Sequence, residues 1–448
     1  MNDLDLQYLV YPLPEDIIRM KGIGDYRTAM AMVEFRLTQD IPDALRKRLE
    51  VEKLFLNKLP VDYKYTKEEI FSQFREKISD FTMEELDTLI VRGKTDFLPV
   101  NGILRFHEDT VASLLKSQPP LAKRAGRTVS GRTELDDIID RVKAGVGGFD
   151  LRIKGVMTLK NPQPGTVYRI HLPIAAESMQ QSAARDITCS LPFTVGEGPQ
   201  RTIYIQSEVE SPIEFAYSYT QRPRYVNPLD ESVSGIIYPA ARPVCEEDLM
   251  EEAPHIIFTP YLKALAKELK GDETDPVRIA YTFYQFTTQH VTYAYQRPYL
   301  MIENGAEYTA LGLKGDCGLQ ALLFITLCRI CGIPARWQSG LDATPGDVGS
   351  HDWAEFYSPR LGWLPVDCSF GGGALRRNLP ERWQFYFGNL DPWRMVANRR
   401  YYVPFSPVKR FCRDDPYDSQ RGEVETDDKG LYGGEFRTVY ELESFEEE

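Results

Sequence analysis

The chain has 448 residues, of which 42% are hydrophobic and 12% aromatic, which is too long for one compact core and implies about two to four globular domains. A formal net charge of −13 excludes a general grip on nucleic-acid backbones or anionic lipid, because both need clustered positive charge. Seven cysteines, sparse and odd in number, do not make a disulfide framework and fit a reducing compartment.

The opening stretch MNDLDLQYLVYPLPED has neither a basic leader nor a long apolar run, so a cytoplasmic location is expected. The apolar run from Ala321 to Leu327 falls far short of the roughly 20 residues that span a bilayer, and no membrane association is expected. Residues 1–145 read as a helical N-terminal module with a short hairpin. Thr66 with Glu69, Thr82 with Glu85, and Thr133 with Asp136 have capping-box spacing, in which a hydroxyl accepts from the third backbone N–H of a new helix. Asp43, after Ile41-Pro42, is predicted to cap a helix from Ala44 to Leu56 with Leu45, Leu49 and Leu56 on one face. Phe97-Leu98-Pro99-Val100 and Ile103-Leu104-Arg105-Phe106 flank Asn101-Gly102, the strongest short hairpin signal. Helices followed by a hairpin are compatible with a winged helix, but the acidic composition opposes nucleic-acid binding. The module is read as one for packing or interaction.

Gly145-Val146-Gly147-Gly148 opens a β domain over 150–227. Leu151 to Val156, Tyr168 to Leu172, Thr202 to Ile205 and Phe215 to Tyr219 alternate in the strand manner between Pro/Gly clusters, which predicts an antiparallel β-sandwich. His171 lies on the second of these strands and is given a solvent-facing structural role. Pro228 to Val244 reads as a linker or arm into a unit ending near residue 400. Helices are predicted there from Tyr261 to Leu269 and, after Thr274-Asp275-Pro276, on to His290, taken as a helix-end histidine.

The chemistry concentrates further on. Gly315-Asp316-Cys317-Gly318 precedes an apolar run to Ile330 that should be a buried helix, closed by Cys331-Gly332-Ile333-Pro334. Cys317 therefore stands at a helix N-terminus, where free N–H groups and the dipole favour thiolate and can hold an oxyanion. His351 begins a strand, His351 to Tyr357, and Trp363 to Asp367 returns beside it after Ser358 to Gly362. Asp367 is thereby brought back toward His351, so that Cys317, His351 and Asp367 form a nucleophile, a base and an orienting carboxylate.

At these residues the sequence resembles the transglutaminase-like superfamily. Gly315-Asp316-Cys317-Gly318, Cys331-Gly332-Ile333-Pro334-Ala335-Arg336, His351-Asp352-Trp353-Ala354-Glu355 and Gly362-Trp363-Leu364-Pro365-Val366-Asp367 follow that family's pattern in order, over roughly residues 245–400. The resemblance implies an α+β fold, a papain-like transglutaminase core over 228–400 in which a helix-borne cysteine packs on an antiparallel sheet carrying His and Asp. It implies thiolate attack on an amide or peptide bond of a peptide or protein substrate through a thioester, without a cofactor or metal. Hydrolysis is the favoured outcome; a protein-glutamine transamidase and a non-catalytic scaffold are the alternatives.

Cys328 and Cys331 form a CxxC at the wrong end of their helix for redox work and are assigned to packing. Cys189, Cys245, Cys368 and Cys412 lack the partners that zinc needs. Trp353 and Trp363 are read as cross-strand core partners. Gln289 and Tyr293 are upstream donors that nothing in the sequence places near Cys317, so the second oxyanion donor stays open. Residues 401–448 are expected to supply accessory strands and an acidic tail, and the Arg399-Arg400-Tyr401-Tyr402 cluster is assigned to internal packing.

Overall fold

The computed structural model describes residues 3–127, 133–239, 241–294 and 296–448. A 3-10 helix over Asp3–Val10 opens it, followed by α1 (Glu15–Gly22), α2 (Tyr26–Leu37) and α3 (Asp43–Asp62). Asp43 is not the cap of α3 but its first residue after Pro42, and the helix runs past the predicted end to Asp62. The apolar stripe explains the extension, since Leu49, Phe55, Leu56, Leu59 and the following Tyr63 are all buried.

Next come β1 (Tyr65–Thr66), α4 (Lys67–Lys77), α5 (Met83–Val91), β2 (Phe97–Val100), β3 (Ile103–Phe106), α6 (Thr110–Ser117), α7 (Pro119–Arg124) and α8 (Glu134–Lys143). The hydroxyls of Thr66 and Thr82 each accept from the N3 backbone at 3.2 Å, as their spacing predicts. Asn101 and Gly102 take φ of 50° and 79°, the pair of positive values that a tight hairpin turn requires. These first 145 residues do not share one interior, and residues 128–132 of that expected module lie outside the described chain. Leu6 to Tyr63 pack with the later helices. Ile70 to Leu121 bury their own cluster, and α8 joins the strands that follow. Periodicity reveals an apolar face but not which neighbour covers it.

Strands β4 (Phe149–Leu159), β5 (Val167–Pro173), β6 (Arg185–Cys189), β7 (Thr194–Gly196), β8 (Thr202–Glu208) and β9 (Ile213–Gln221) lead through an irregular arm to α9 (Pro260–Lys270), α10 (Pro276–His290), β10 (Thr292–Tyr293) and α11 (Gly305–Gly312). Then β11 (Lys314–Gly315) feeds α12 (Cys317–Ile330), followed by β12 (Ala335–Thr344), β13 (Asp347–Ser358), β14 (Gly362–Val366), α13 (Cys368–Arg376), α14 (Pro380–Phe385) and β15 (Arg394–Asn398). The last strands are β16 (Glu423–Glu425) and β17 (Phe436–Glu447).

Three four-stranded sheets carry the architecture, in the orders β14-β13-β12-β15, β16-β5-β8-β7 and β17-β4-β9-β6. The second and third enclose one apolar interior with Ile153, Ile170, Ile205 and Tyr217, and each is completed by a strand from the end of the chain. The terminal segment is therefore not a free tail, because β17 pairs along β4 from Phe436 opposite Leu159 to Glu447 opposite Phe149. His171 is also not solvent-facing. It is 3% exposed, stacked on Phe405 with ring centroids 4.2 Å apart, because the returning chain covers the face that alternation alone leaves open. Burial, with Arg413 and Lys409 nearby, lowers its pKa to about 3, so it is a neutral structural group.

Helix α12 packs on the β12–β13 sheet and is surrounded by α9, α10, α11 and α13. Among the described residues no helix is long and apolar enough to cross a membrane. The approach of β15 to β12 leaves no room at Gly340, where an added Cβ would stand 1.9 Å from the Met395 carbonyl oxygen. Gly340→Ala is expected to lose at least about 2 kcal/mol of stability through this backbone clash. Gly373→Ala, with nothing within 4 Å, should leave the midpoint of urea unfolding unchanged or slightly raised, and the two midpoints provide the comparison.

Candidate active site

Helix α12 begins at Cys317 because Asp316 caps it. Its Oδ1 accepts from Leu319 N at 3.1 Å and from the Tyr299 hydroxyl at 2.5 Å, and the parallel pairing of Tyr293 with Gly315 delivers the chain to this cap. Gly318 is a point of close approach, since a Cβ there would lie 2.3 Å from Tyr299 Oη and 2.8 Å from both Asp352 Oδ2 and the Trp337 ring. Cys317 is half-buried, and its Sγ donates to Asp352 Oδ2 at 3.4 Å.

His351 lies buried on β13 with Nε2 2.7 Å from Asp367 Oδ2. The Asp367 carboxylate also caps α13, accepting from Phe370 N at 2.8 Å, and meets Arg394 Nε at 3.4 Å. Burial raises the Asp367 pKa, but His351 and Arg394 outweigh it and hold the group below the ordinary carboxylate range. Arg394 is itself fixed between Asp342 at 2.8 Å and Asp391 at 3.2 Å, 3.8 Å from the Phe370 ring centre. The hairpin thus brings His351 and Asp367 together, with Nε2 as the donor and Nδ1 as the remaining nitrogen.

The thiol meets a different residue. Cys317 contacts Asp352, one position beyond His351, and among the described residues it makes no hydrogen bond to the imidazole. Alternation along β13 is the reason: Ala354 and Phe356 share the interior of α12, and Asp352 follows their side of the strand, whereas His351 goes with Trp353. Asp352 is part of the quoted motif, and a carboxylate on the helix-facing side of an apolar strand is the signal that marks it.

The surroundings of the sulfur are acidic. Burial first, then the Asp352 and Asp316 charges, push the Cys317 thiol well above its usual range. Burial also pushes Asp316 up to about 6 and Asp352 up to about 8, and raises Asp415 and Asp418 behind them. Gln420 steadies this corner, its amide donating to the His351 carbonyl at 2.9 Å and also to Asp352 Oδ1. Lys116 of α6 lies with its ammonium 4.6 Å from the Tyr293 ring centre and 3.4 Å from that hydroxyl, and its charge favours the thiolate less than the two carboxylates oppose it.

Tyr293 is engaged with Lys116, and Gln289 is exposed on α10. Cys328 is buried and Cys331 closes the helix. Trp353 and Trp363 are both buried, the latter opposite Tyr357 and 3.8 Å beneath the Arg336 guanidinium. Neither Lys116 nor Gln420 carries a sequence signal, because both arrive from segments far away in the chain.

Residues 263–368, which contain the half-buried thiol and the His351–Asp367 pair, match the model of the transglutaminase-like superfamily. This segment is a transglutaminase-like core. No curated protein matches the chain. Among solved structures, the chain is similar to a proposed cysteine protease from Cytophaga hutchinsonii, at 12% identity and TM-score 0.42 over 66% of this chain and 91% of that one. It is also similar to the periplasmic domain of TgpA from Pseudomonas aeruginosa, at 17% identity and TM-score 0.28 over 57% of this chain and 99% of that one. In the transglutaminase-like core the matched segment ends at Cys368, the first residue of α13.

Asp352 carries a folded pKa raised above its unfolded value, so its contribution to stability is full below about pH 4 and is lost as pH rises through about 8. Relative to the native chain, Asp352→Asn should gain stability with rising pH, least near pH 4 and reaching a plateau above about pH 8, as thermal melts across that range will show. The same substitution removes a negative charge from beside the thiol, so alkylation of Cys317 at pH 9 should quicken by about tenfold.

Proposed function

We propose that the chain is a cysteine enzyme that cleaves an amide or peptide bond through a thioester on Cys317, with His351 as base and Asp367 as its orienting carboxylate. The observation that carries this reading is the His351 Nε2–Asp367 pair at 2.7 Å, on the strand next to the residue that touches the thiol. With Nε2 committed to Asp367, Nδ1 is the nitrogen left to take a proton from Cys317 and to return it to the leaving amine. The reading requires the β13 backbone at His351 to shift when substrate binds, so that the imidazole comes to the face on which Asp352 holds the thiol.

In the proposed cycle the sulfur adds to the carbonyl carbon and the amine departs with the proton from His351. Water then attacks the thioester and restores the thiol. Two N–H groups at the start of α12 are the natural oxyanion donors. The papain-like placing of helix against sheet, the paired sheets as a β-sandwich domain and the N-terminal helices as an interaction module belong to the same proposal. So do a peptide or protein amide as substrate and a cytoplasmic setting, the latter supported by a cysteine count of seven, sparse and odd for a chain of this length.

One observation favours a second reading, a scaffold without chemistry. The thiol donates to a carboxylate and its pKa is driven up rather than down, which opposes the thiolate that attack requires. Mass spectrometry of the chain incubated with short glutamine-containing peptides separates the readings. An acyl adduct on Cys317, absent in Cys317→Ala and formed about 100-fold more slowly in His351→Ala, is the expected result. Ammonia or a new amino terminus marks hydrolysis, and uptake of a labelled primary amine marks transamidation. No adduct, with labelling by iodoacetamide unchanged in His351→Ala, sinks the enzyme reading.

A further inference from the structure

Away from the thiol, four arginines converge where three parts of the chain meet. Arg336 and Gln338 come from β12, Arg399 and Arg400 from the turn after β15, and Arg242 from the arm that follows the paired sheets. Together with Glu177 they line a cleft of about 220 Å³. The cleft lies on the His351 side of the sheet. Gln338 pairs with Trp353 and Gly340 with His351, so Gln338 stands two residues, roughly 7 Å, along the strand from the partner of His351.

Three of these guanidiniums have a carboxylate at hand. Arg242 reaches Asp248 at 2.7 Å, Arg336 pairs with the buried Glu355, which Gln338 also satisfies, and Arg400 lies 3.8 Å from Glu252. Arg399 has none among the described residues. Its fork is held by backbone carbonyls, Nη1 on Glu177 O at 3.0 Å and Nη2 on Gly198 O at 3.1 Å, and its Nε is buried without a hydrogen-bond partner. Burial holds Arg399 below its ordinary range, Arg242 and Arg336 press the same way, and only the Glu177 and Glu355 charges pull against them. A half-buried guanidinium fixed by neutral acceptors beside two other cations costs free energy unless an anion joins it.

We propose that this cleft is a binding site for a small oxyanion, a phosphate or carboxylate group, gripped by Arg399 and Arg400 with Arg242 and Arg336 completing the positive wall. Arginine suits that ligand because its planar fork matches two oxygens at once. The cleft joins the paired sheets, the arm and the transglutaminase-like core, so an occupant stabilises their mutual packing whether or not Cys317 is a nucleophile.

The test is calorimetric titration of the full chain with inorganic phosphate and, separately, with succinate, at constant ionic strength maintained with chloride. Saturable binding of one or both is expected, and the stronger of the two identifies the ligand class. Arg399→Gln should raise the dissociation constant about tenfold or more, and Arg400→Gln, whose guanidinium already has Glu252 at 3.8 Å, about threefold. Arg400→Gln keeps the question open to decision should Arg399→Gln fail to fold. No saturable heat with either anion, or native affinity in either folded variant, overturns the proposal.

Discussion

Helix α12 is apolar on every side, and that single property dictates most of what surrounds it. Leu319, Leu322, Leu323, Phe324, Ile325 and Leu327 have no exposure at all, so the helix must be enclosed rather than laid on a surface. The β12–β13 sheet presents Trp337, Ala354 and Phe356 to one side, while the helices α9 to α11 and α13 close the others. Even the first helices of the chain, with Leu49, Phe55 and Leu59, join this interior. An enclosed helix reaches solvent only through its ends, and the N-terminal end is where the half-buried Cys317 stands.

Two electrostatic influences compete at that end. The helix terminus favours a thiolate by about 0.3–1 kcal/mol, and up to about 2 when partly buried. A carboxylate at about 4 Å opposes it by about 4 kcal/mol at an effective dielectric of about 20. The carboxylate wins whenever it is ionised. Burial, however, pushes Asp352 up to about 8, so near neutral pH the carboxyl is mostly protonated and much of the opposition is withdrawn. Burial of the thiol and the proton inventory of the carboxyl corner around it, more than the helix dipole, set the state of the sulfur.

What the sequence revealed is what local chemistry determines. The capping boxes at Thr66 and Thr82, the Asn101-Gly102 hairpin, the buried run after Cys317 and the return of Asp367 to His351 all depend on residues close together in the chain. What it hid depends on distant partners. The alternation around His171 cannot reveal that Phe405 will cover it, and nothing in Phe436 to Glu447 says that its edge is β4. The thiol illustrates the finest limit of all. Placing His351 and Cys317 in neighbouring elements was legible, but a strand turns successive side chains to opposite sides, so one position decides whether imidazole or carboxylate faces the sulfur.

The returning C-terminal segment links these levels. Gln420 holds the backbone of His351 and the side chain of Asp352 together, and the carbonyl of the same residue accepts from the Tyr440 hydroxyl on β17 at 3.0 Å. β17 in turn is bound to β4 along its length. The position of the candidate base is therefore tied, through Gln420, through Arg421, which reaches Ser350 and accepts from Thr438, and through direct contact of β17 with β13, to the sheet that β17 completes. Loss of β17 would unfasten Gln420 from Tyr440 before it disturbed α12 itself, so the acidic corner is more sensitive to the paired sheets than the buried helix that carries the cysteine.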